Sequence, residues 1–248
     1  RNLVGVSDWL NGDVCVGNLD ILARCSGLPD AIIHLAGGSS VGPSMIAPAE
    51  DFRRTVGATA DLLEWVRLHS SHTKVVLASS AAVYGGSHSG QIGLASHCIP
   101  YSPYGTHKLM SEMMLRGFGR DFEINGAIVR LFSVYGAGLR KQLLWDLCGK
   151  LASARGPVVL GGTGAELRDW LHVEDAARLL LCAVDVADET CPTLNGGTGV
   201  AASVRDVADW ICSCWSASSS ASFSGVRRAG DPGSLVADVS ATTELLGW

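Results

Sequence analysis

The sequence predicts an α/β fold built on a buried parallel sheet, and three observations predict it. Short apolar runs, Asp30–Gly38 (DAIIHLAGG), Val75–Ala78 and Ala127–Phe132 (AIVRLF), are bounded by Gly, Ser or Asp, as buried parallel strands are. A helical pattern separates the first two: Phe52, Val56, Leu63 and Val66 fall on one side of Glu50–His69. The run Val75–Ala78 ends in two hydroxyls, Ser79 and Ser80, and in open α/β sheets ligands sit beyond the carboxyl ends of the strands.

Composition narrows the class. At 248 residues and 47% hydrophobic, the chain fills one large α/β domain or a major and a minor one, and wholesale disorder is excluded. A net charge of −5 gives no basic footprint for nucleic acid. No apolar run has the length of a membrane span, and the opening RNLVGVSDWLNGD is not a signal peptide. Eight cysteines are scattered without metal-ligand spacing and read as reduced, mostly buried thiols of a cytoplasmic protein. Cys212 and Cys214 point to different faces of a helix.

In chain order, Arg1–Val6 opens on an apolar stretch that reads as strand. Val14–Arg24 reads as a short strand, a Gly turn and a helix started by Asp20. The strand within Asp30–Gly38 holds His34 as a structural histidine and runs into a Gly turn. Trp65, in the helix after it, reads as packing. Beyond the Ser79–Ser80 strand, Ser102 is a good N-cap, Pro103 fits the first helical position, and an apolar helical pattern follows. Tyr104 and Lys108 are four apart in that helix and share one face.

That pairing is chemically useful. A free tyrosine, with a pKa of about 10, is a poor base near neutrality. An ammonium one turn away and the positive end of the helix dipole both favour the phenolate. Reaching about 7 takes roughly 4 kcal/mol, more than one exposed lysine provides, so a desolvated site with added positive charge is required.

Later elements follow the same logic. Leu139–Leu151 is an amphipathic helix with Arg140 and Lys141 near its start, which read as a solvated basic turn in preference to a phosphate contact. Val158–Leu160 is a short strand, and Glu174–Asp175 favour the next helix by dipole. Gly197–Ala202 fits G-x-G-x-x-[GA] but follows a short polar strand, and no parallel strand follows its helix, so it is not a cofactor loop. Ser203 and Asp206 form a capping-box pattern. Ser213–Gly225 is a Ser/Ala-rich connection.

Ser79–Gly85 (SSAAVYG), a serine 24 residues before Tyr104, and YGTHK together resemble the Ser–Tyr–Lys site of extended short-chain dehydrogenases/reductases. Within them the sequence looks like the NAD-dependent epimerase/dehydratase group acting on nucleotide sugars. GTGAELRDWLHVED is similar to that group's G-x-G-x-x-x-R-D-[FYW]-x-H-V-x-D signature, and RLFSVYGAG to its R-x-F-N-x-Y-G-P-G. The resemblance implies a Rossmann-like doubly wound sheet and a smaller C-terminal α+β substrate-binding portion. It places residues 1–133 and about 170–195 in the dinucleotide-binding domain, and about 134–169 and 196–248 in the substrate portion.

The resemblance also implies roles. Ser80, Tyr104 and Lys108 are the catalytic set, with Tyr104 and Lys108 also touching NAD. Asn18 and Leu19 stand in the group's G-D-x-x-D place near adenine; Leu35, Ala36, Gly37, Ser39, Ser79 and Phe132 are further cofactor contacts. Ser80, Ser133, Arg168, Arg228 and Asp231 face the nucleotide sugar, while Arg130, Asp169 and His172 are structural. Thr55 replaces the usual Asn of N-V-x-G-T, and with it a bracing amide. Ala81 and Ala82 stand where dehydratases of the group carry an acidic pair, which favours C4 epimerisation. A homodimer through two helices, Ser102–Gly117 being one, is implied too. The group's first strand and glycine turn are not found before Asp30, and the chain stops at LLGW, so both ends read as cut. A non-catalytic nucleotide-sugar-binding remnant and a reductase or decarboxylase are the alternatives.

Overall fold

The computed structural model describes residues 5–153, 156–216, 219–226 and 231–248. The elements run α1 (Val16–Ser26), β1 (Ala31–His34), α2 (Val41–Ile46), α3 (Pro48–Phe52), a π-helical turn (Arg53–Gly57) and α4 (Ala58–His69). Then come β2 (Lys74–Ser80), a 3-10 turn (Ala81–Tyr84), β3 (Gln91–Ile92), α5 (Pro103–Phe122), β4 (Gly126–Leu131), β5 (Ser133–Tyr135), α6 (Gln142–Ser153) and β6 (Val158–Leu160). The chain closes with β7 (Leu167–His172), α7 (Val173–Asp185), β8 (Thr193–Gly196), β9 (Ala201–Ser203), α8 (Val204–Trp215), β10 (Ala221–Phe223), β11 (Ser234–Ala237) and α9 (Ser240–Leu246).

Four strands, β1-β2-β4-β8, form an all-parallel sheet. Its two faces follow from strand alternation. Val75, Leu77 and Ile128 pack with Leu62, Leu63 and Val66 of α4 and Leu115 of α5. Val76, Ala78, Ala127 and Val129 pack with Leu179, Leu180 and Ala183 of α7. Helices therefore cover both faces, as the apolar runs of buried parallel strands require, and the arrangement is the doubly wound one that the resemblance implies. A second sheet, β3-β11-β7-β5, with β9 antiparallel to β7, interleaves with the first in sequence, and β6 pairs with β10.

Several sequence expectations are corrected. Neither Val14 nor Cys15 is strand: Cys15 is the N-cap of α1, and the helix takes in Gly17. Asp20 does not start that helix; it accepts the Trp65 indole N–H at 2.8 Å, tying α1 to α4. Most of Arg1–Val6 lies outside the described residues, and Gly5 and Val6 are not strand. The helical stretch beginning near Glu50 is broken by the π turn, which adds a residue and rotates what precedes it. Phe52 consequently turns outward, 42% exposed, while Val56, Leu63 and Val66 stay buried. Ser213–Gly225 is not all connection, because Ala221 and Phe223 pack inward as β10 against Leu160 and Leu147. That strand does follow α8, but it pairs with β6, outside the four-stranded sheet. Among the cysteines, all free, only Cys191 and Cys212 are buried; Cys25, Cys182 and Cys214 lie on outer helix faces.

Beneath the site runs a buried polar seam. Glu112 of α5, 0% exposed, accepts two hydrogen bonds from Arg130 of β4, at 3.0 and 2.7 Å, and one from Ser79 of β2 at 2.5 Å. Arg130 is the structural anchor its motif implied, stacked 4.7 Å over the Tyr84 ring. Burial works against the guanidinium's charge, but the Glu112 hydrogen bond and charge outweigh it and raise its pKa. Replacing one partner of such a pair leaves a buried charge uncompensated, at a cost of about 3–5 kcal/mol. Glu112→Gln is therefore expected to lower the urea midpoint by an amount equivalent to about 3 kcal/mol. A loss under about 1 kcal/mol in the same titration contradicts this role.

Candidate active site

Two elements meet at the carboxyl edge of the four-stranded sheet. β2 ends at Ser80, whose side chain caps the following 3-10 turn by accepting from the Ala82 amide at 3.2 Å. α5 starts one residue after Ser102, which accepts from the Gly105 amide at 3.2 Å, with Pro103 at its first position. The Tyr104 amide, another unpaired donor of that first turn, is taken by the buried Ser44 hydroxyl at 3.1 Å. Gly105 lets the helix close on the turn, since a Cβ there would lie 2.5 Å from the Ala82 carbonyl oxygen.

These contacts bring Ser80, Tyr104 and Lys108 to one wall of a cleft of about 1000 Å³. The Ser80 hydroxyl favours ionisation of the Tyr104 phenol. Lys108, 4% exposed, donates to the Ala78 carbonyl at 2.9 Å. Burial nevertheless dominates the phenol, pushing its pKa up, and the Asp51 charge adds to that rise. Burial also draws Lys108 down to about 8, opposed by the Asp51 charge, reinforced by Lys141 and opposed again by Glu112. In the chain alone, desolvation of both groups outweighs one turn of helix, in keeping with the requirement for added positive charge beyond one lysine.

Of the other residues expected in the site, Leu35, Gly37, Ser39, Ser79, Phe132, Ser133, Arg168 and Asp231 line this cleft. Arg168 and Asp231 form an ion pair at 2.8 Å, and the guanidinium also donates to the Pro232 carbonyl. Ala36 is not among the lining residues. Asn18 and Leu19 also lie elsewhere: the Asn18 amide donates to the Asp13 carbonyl and Leu19 packs against the α4–α5 core. Arg228 lies outside the described residues. The glycine-rich Gly197–Ala202 turn is occupied internally. Asp169, 0% exposed, accepts from Thr198 N, Thr198 Oγ1, Gly199 N and Ala237 N, so these amides are not free for a phosphate.

Sequence reading missed three contributors. Lys141 is not merely a solvated turn; it lines the cleft and donates to the Ser39 carbonyl at 3.1 Å. Trp170 also lines it, and its buried indole N–H has no hydrogen-bond partner among the described residues. Thr55 supplies the brace its replacement of Asn seemed to lose, because its hydroxyl accepts from the Gly38 amide at 2.7 Å. A hydroxyl-for-amide swap at a bracing position is invisible until the partner backbone is placed.

The residues fit the nicotinamide-ribose end of NAD. Gly37, at φ +135, brings backbone so close that a Cβ would lie 3.1 Å from Thr55 Oγ1 and 3.5 Å from Lys108 Nζ. Lys108 has three donors and commits one to Ala78. Leu35, 63% exposed at the end of β1, offers apolar surface beside it.

The buried histidine of β1 yields a pH prediction. His34, 3% exposed, pairs through Nε2 with Thr59 Oγ1 at 3.1 Å; burial, then the Lys108 charge, lowers its pKa to about 4. A lowered folded value means stability present above about 6.5 and lost as pH falls through about 4. Thermal denaturation should show that loss, up to roughly 3 kcal/mol, and His34→Gln should flatten it. An unchanged pH slope in the variant refutes the assignment.

The model of the NAD dependent epimerase/dehydratase family matches residues 6–195. The UDP-glucose 4-epimerase of Azospirillum brasilense is 33% identical over 237 residues, covering 88% of this chain and 68% of that protein. The structure of MoeE5 in complex with UDP-glucuronic acid and NAD aligns with a TM-score of 0.85 at 32% identity, over 96% of this chain and 79% of that one. MoeE5 in complex with UDP-glucose and NAD aligns with a TM-score of 0.83, again at 32% identity and with the same coverage.

Proposed function

The chain belongs to the NAD dependent epimerase/dehydratase family, and from that premise we propose that it epimerises a nucleotide sugar, a UDP-hexose, at C4. The observation that carries this reading is the convergence of Ser80, Tyr104 and Lys108 on one wall of the large cleft. The complexes of MoeE5 with UDP-sugars and NAD support the ligand classes. In this reading residues 1–133 and about 170–195 hold the cofactor, and about 134–169 and 196–248 hold the sugar nucleotide.

NAD, when bound, supplies reversible acceptance of the C4 hydrogen with its electron pair. Lys108 holds its nicotinamide ribose, with the backbone of Gly37 alongside. Tyr104 takes the proton from the C4 hydroxyl and returns it to the same oxygen after the 4-keto sugar has turned over. Ser80 donates to that oxygen and keeps it in line with the phenol. Arg168 meets the diphosphate, where a planar guanidinium pairs two oxygens at once, and Asp231 holds its other edge. Ala81 and Ala82, 3% and 8% exposed, provide neither acid nor base for loss of water.

Incubated with NAD, the protein should interconvert UDP-glucose and UDP-galactose without net reductant. A 4-keto-6-deoxy product overturns the assignment, and stoichiometric NADPH consumption turns it to a reductase. Tyr104→Phe should lower kcat by roughly 10²–10⁴-fold, the usual worth of a general acid–base, while retaining the affinity for UDP. Loss of UDP binding in that variant would count against a chemical role for the phenol.

A further inference from the structure

Asp51 is a buried carboxylate that none of the roles above uses. It sits in α3, 6% exposed, and its Oδ2 accepts from His107 Nδ1 at 2.6 Å. His107 is the residue before Lys108 in α5, so this bond ties the carboxylate to the turn that carries the amine. The other oxygen faces the loop after β1: a Cβ on Gly38 would fall 1.9 Å from Asp51 Oδ1, so only glycine fits there. The preceding glycine, Gly37, lies against Lys108 Nζ, within 3.5 Å of its own ideal Cβ. Two adjacent glycines thus carry a carboxylate and an ammonium on one short stretch of backbone, away from bulk water.

We propose that Asp51 is a positioning residue: clamped by His107 and seated on Gly38, it is the counter-charge that keeps Lys108 an ammonium. The surroundings leave it that task. On α5 it faces Tyr104, His107 and Lys108, with Glu112 one turn beyond Lys108, already committed to Arg130 and Ser79. From β1, His34 is buried and neutral, and Lys141, the residue before α6, adds positive charge near Lys108. On its own helix Glu50 is paired with Arg53 and Arg54 at the surface. Asp51 is therefore the buried negative charge whose other ties, His107 and a backbone, leave its field directed at the amine. Without it, burial and Lys141 would be opposed only by Glu112, whose charge is already committed to Arg130.

The charge assignment stands apart from turnover; only its kinetic consequence rests on the epimerase reading. The chain has four lysines, Lys74, Lys108, Lys141 and Lys150, so lysine labelled at Nζ and Cε gives four resolvable NMR titrations. Asp51→Asn should lower the Lys108 midpoint by about one pH unit or more, a tenfold loss of proton affinity, and Asp51→Glu should restore it. An Asp51→Asn protein in which Lys108 titrates as in the parent overturns the proposal. Should that variant fail to fold, the parent itself decides. Labelled Asp51 Cγ should shift at the Lys108 midpoint and lose that step in Lys108→Met, and a flat trace in the parent refutes the coupling. In the epimerase assay the alkaline limb of kcat/KM should move to lower pH in Asp51→Asn; a uniform drop with the limb unmoved is the signature of mere structure. Absence of turnover in the parent would refute the epimerase reading and leave the titration result standing.

Discussion

Everything in the site depends on how α5 is held against the four-stranded sheet, and a buried carboxylate holds it. Glu112 receives the Arg130 fork from β4 and the Ser79 hydroxyl from β2, so one side chain fixes the helix to two strands at once. A purely apolar contact would permit sliding along the strands, whereas three directed bonds to one carboxylate define both depth and rotation. Tyr104 and Lys108 sit two turns and one turn upstream on the same helix. Their reach to Ser80 and Ala78 is set by that fixing and by the tight Gly105 contact with the 3-10 turn.

The same device recurs where the two sheets approach each other. Tyr84 donates to Asn195 Oδ1 at 2.7 Å, and the Asn195 amide donates to the Ile92 and Asp238 carbonyls. Thr242 of α9 exchanges hydrogen bonds with the Asn195 backbone. Asp169 gathers four donors from the turn after β8 and from β11. Buried polar groups of this kind are costly if any partner is missing, so they select one relative placement of the sheets.

Much of this was legible in the sequence because it rests on local rules. Ser102–Pro103 announces the start of α5, Ser203 and Asp206 form the capping box they spell, and the apolar runs become the parallel strands. Ser80, Tyr104, Lys108 and Arg168, which the motifs single out, all line one cleft. What stayed hidden was non-local. Phe52 faces outward because a π turn changes helical phase, and no pattern of single residues encodes that phase. Asp20 was read as a helix starter, although its partner Trp65 lies 45 positions away. Lys141 looked like a solvated charge because nothing in its neighbourhood reveals that Ser39 lies across the cleft.

Burial also explains why the Tyr104–Lys108 pair is responsive rather than fixed. In water, a charge several ångströms away changes a pKa little; at low effective dielectric the same charge matters severalfold more. The site has removed most water from both groups, and the result for the chain alone is a phenol held above its ordinary pKa and an amine held below. Desolvation penalises phenolate and ammonium separately, yet forming the two together in one pocket recovers much of that penalty through their mutual attraction. The proton of Tyr104 is therefore governed by every charge sharing the pocket. A loop that brings Gly37 and Gly38 within contact of Lys108 and Asp51 places any added ligand charge where it acts most strongly.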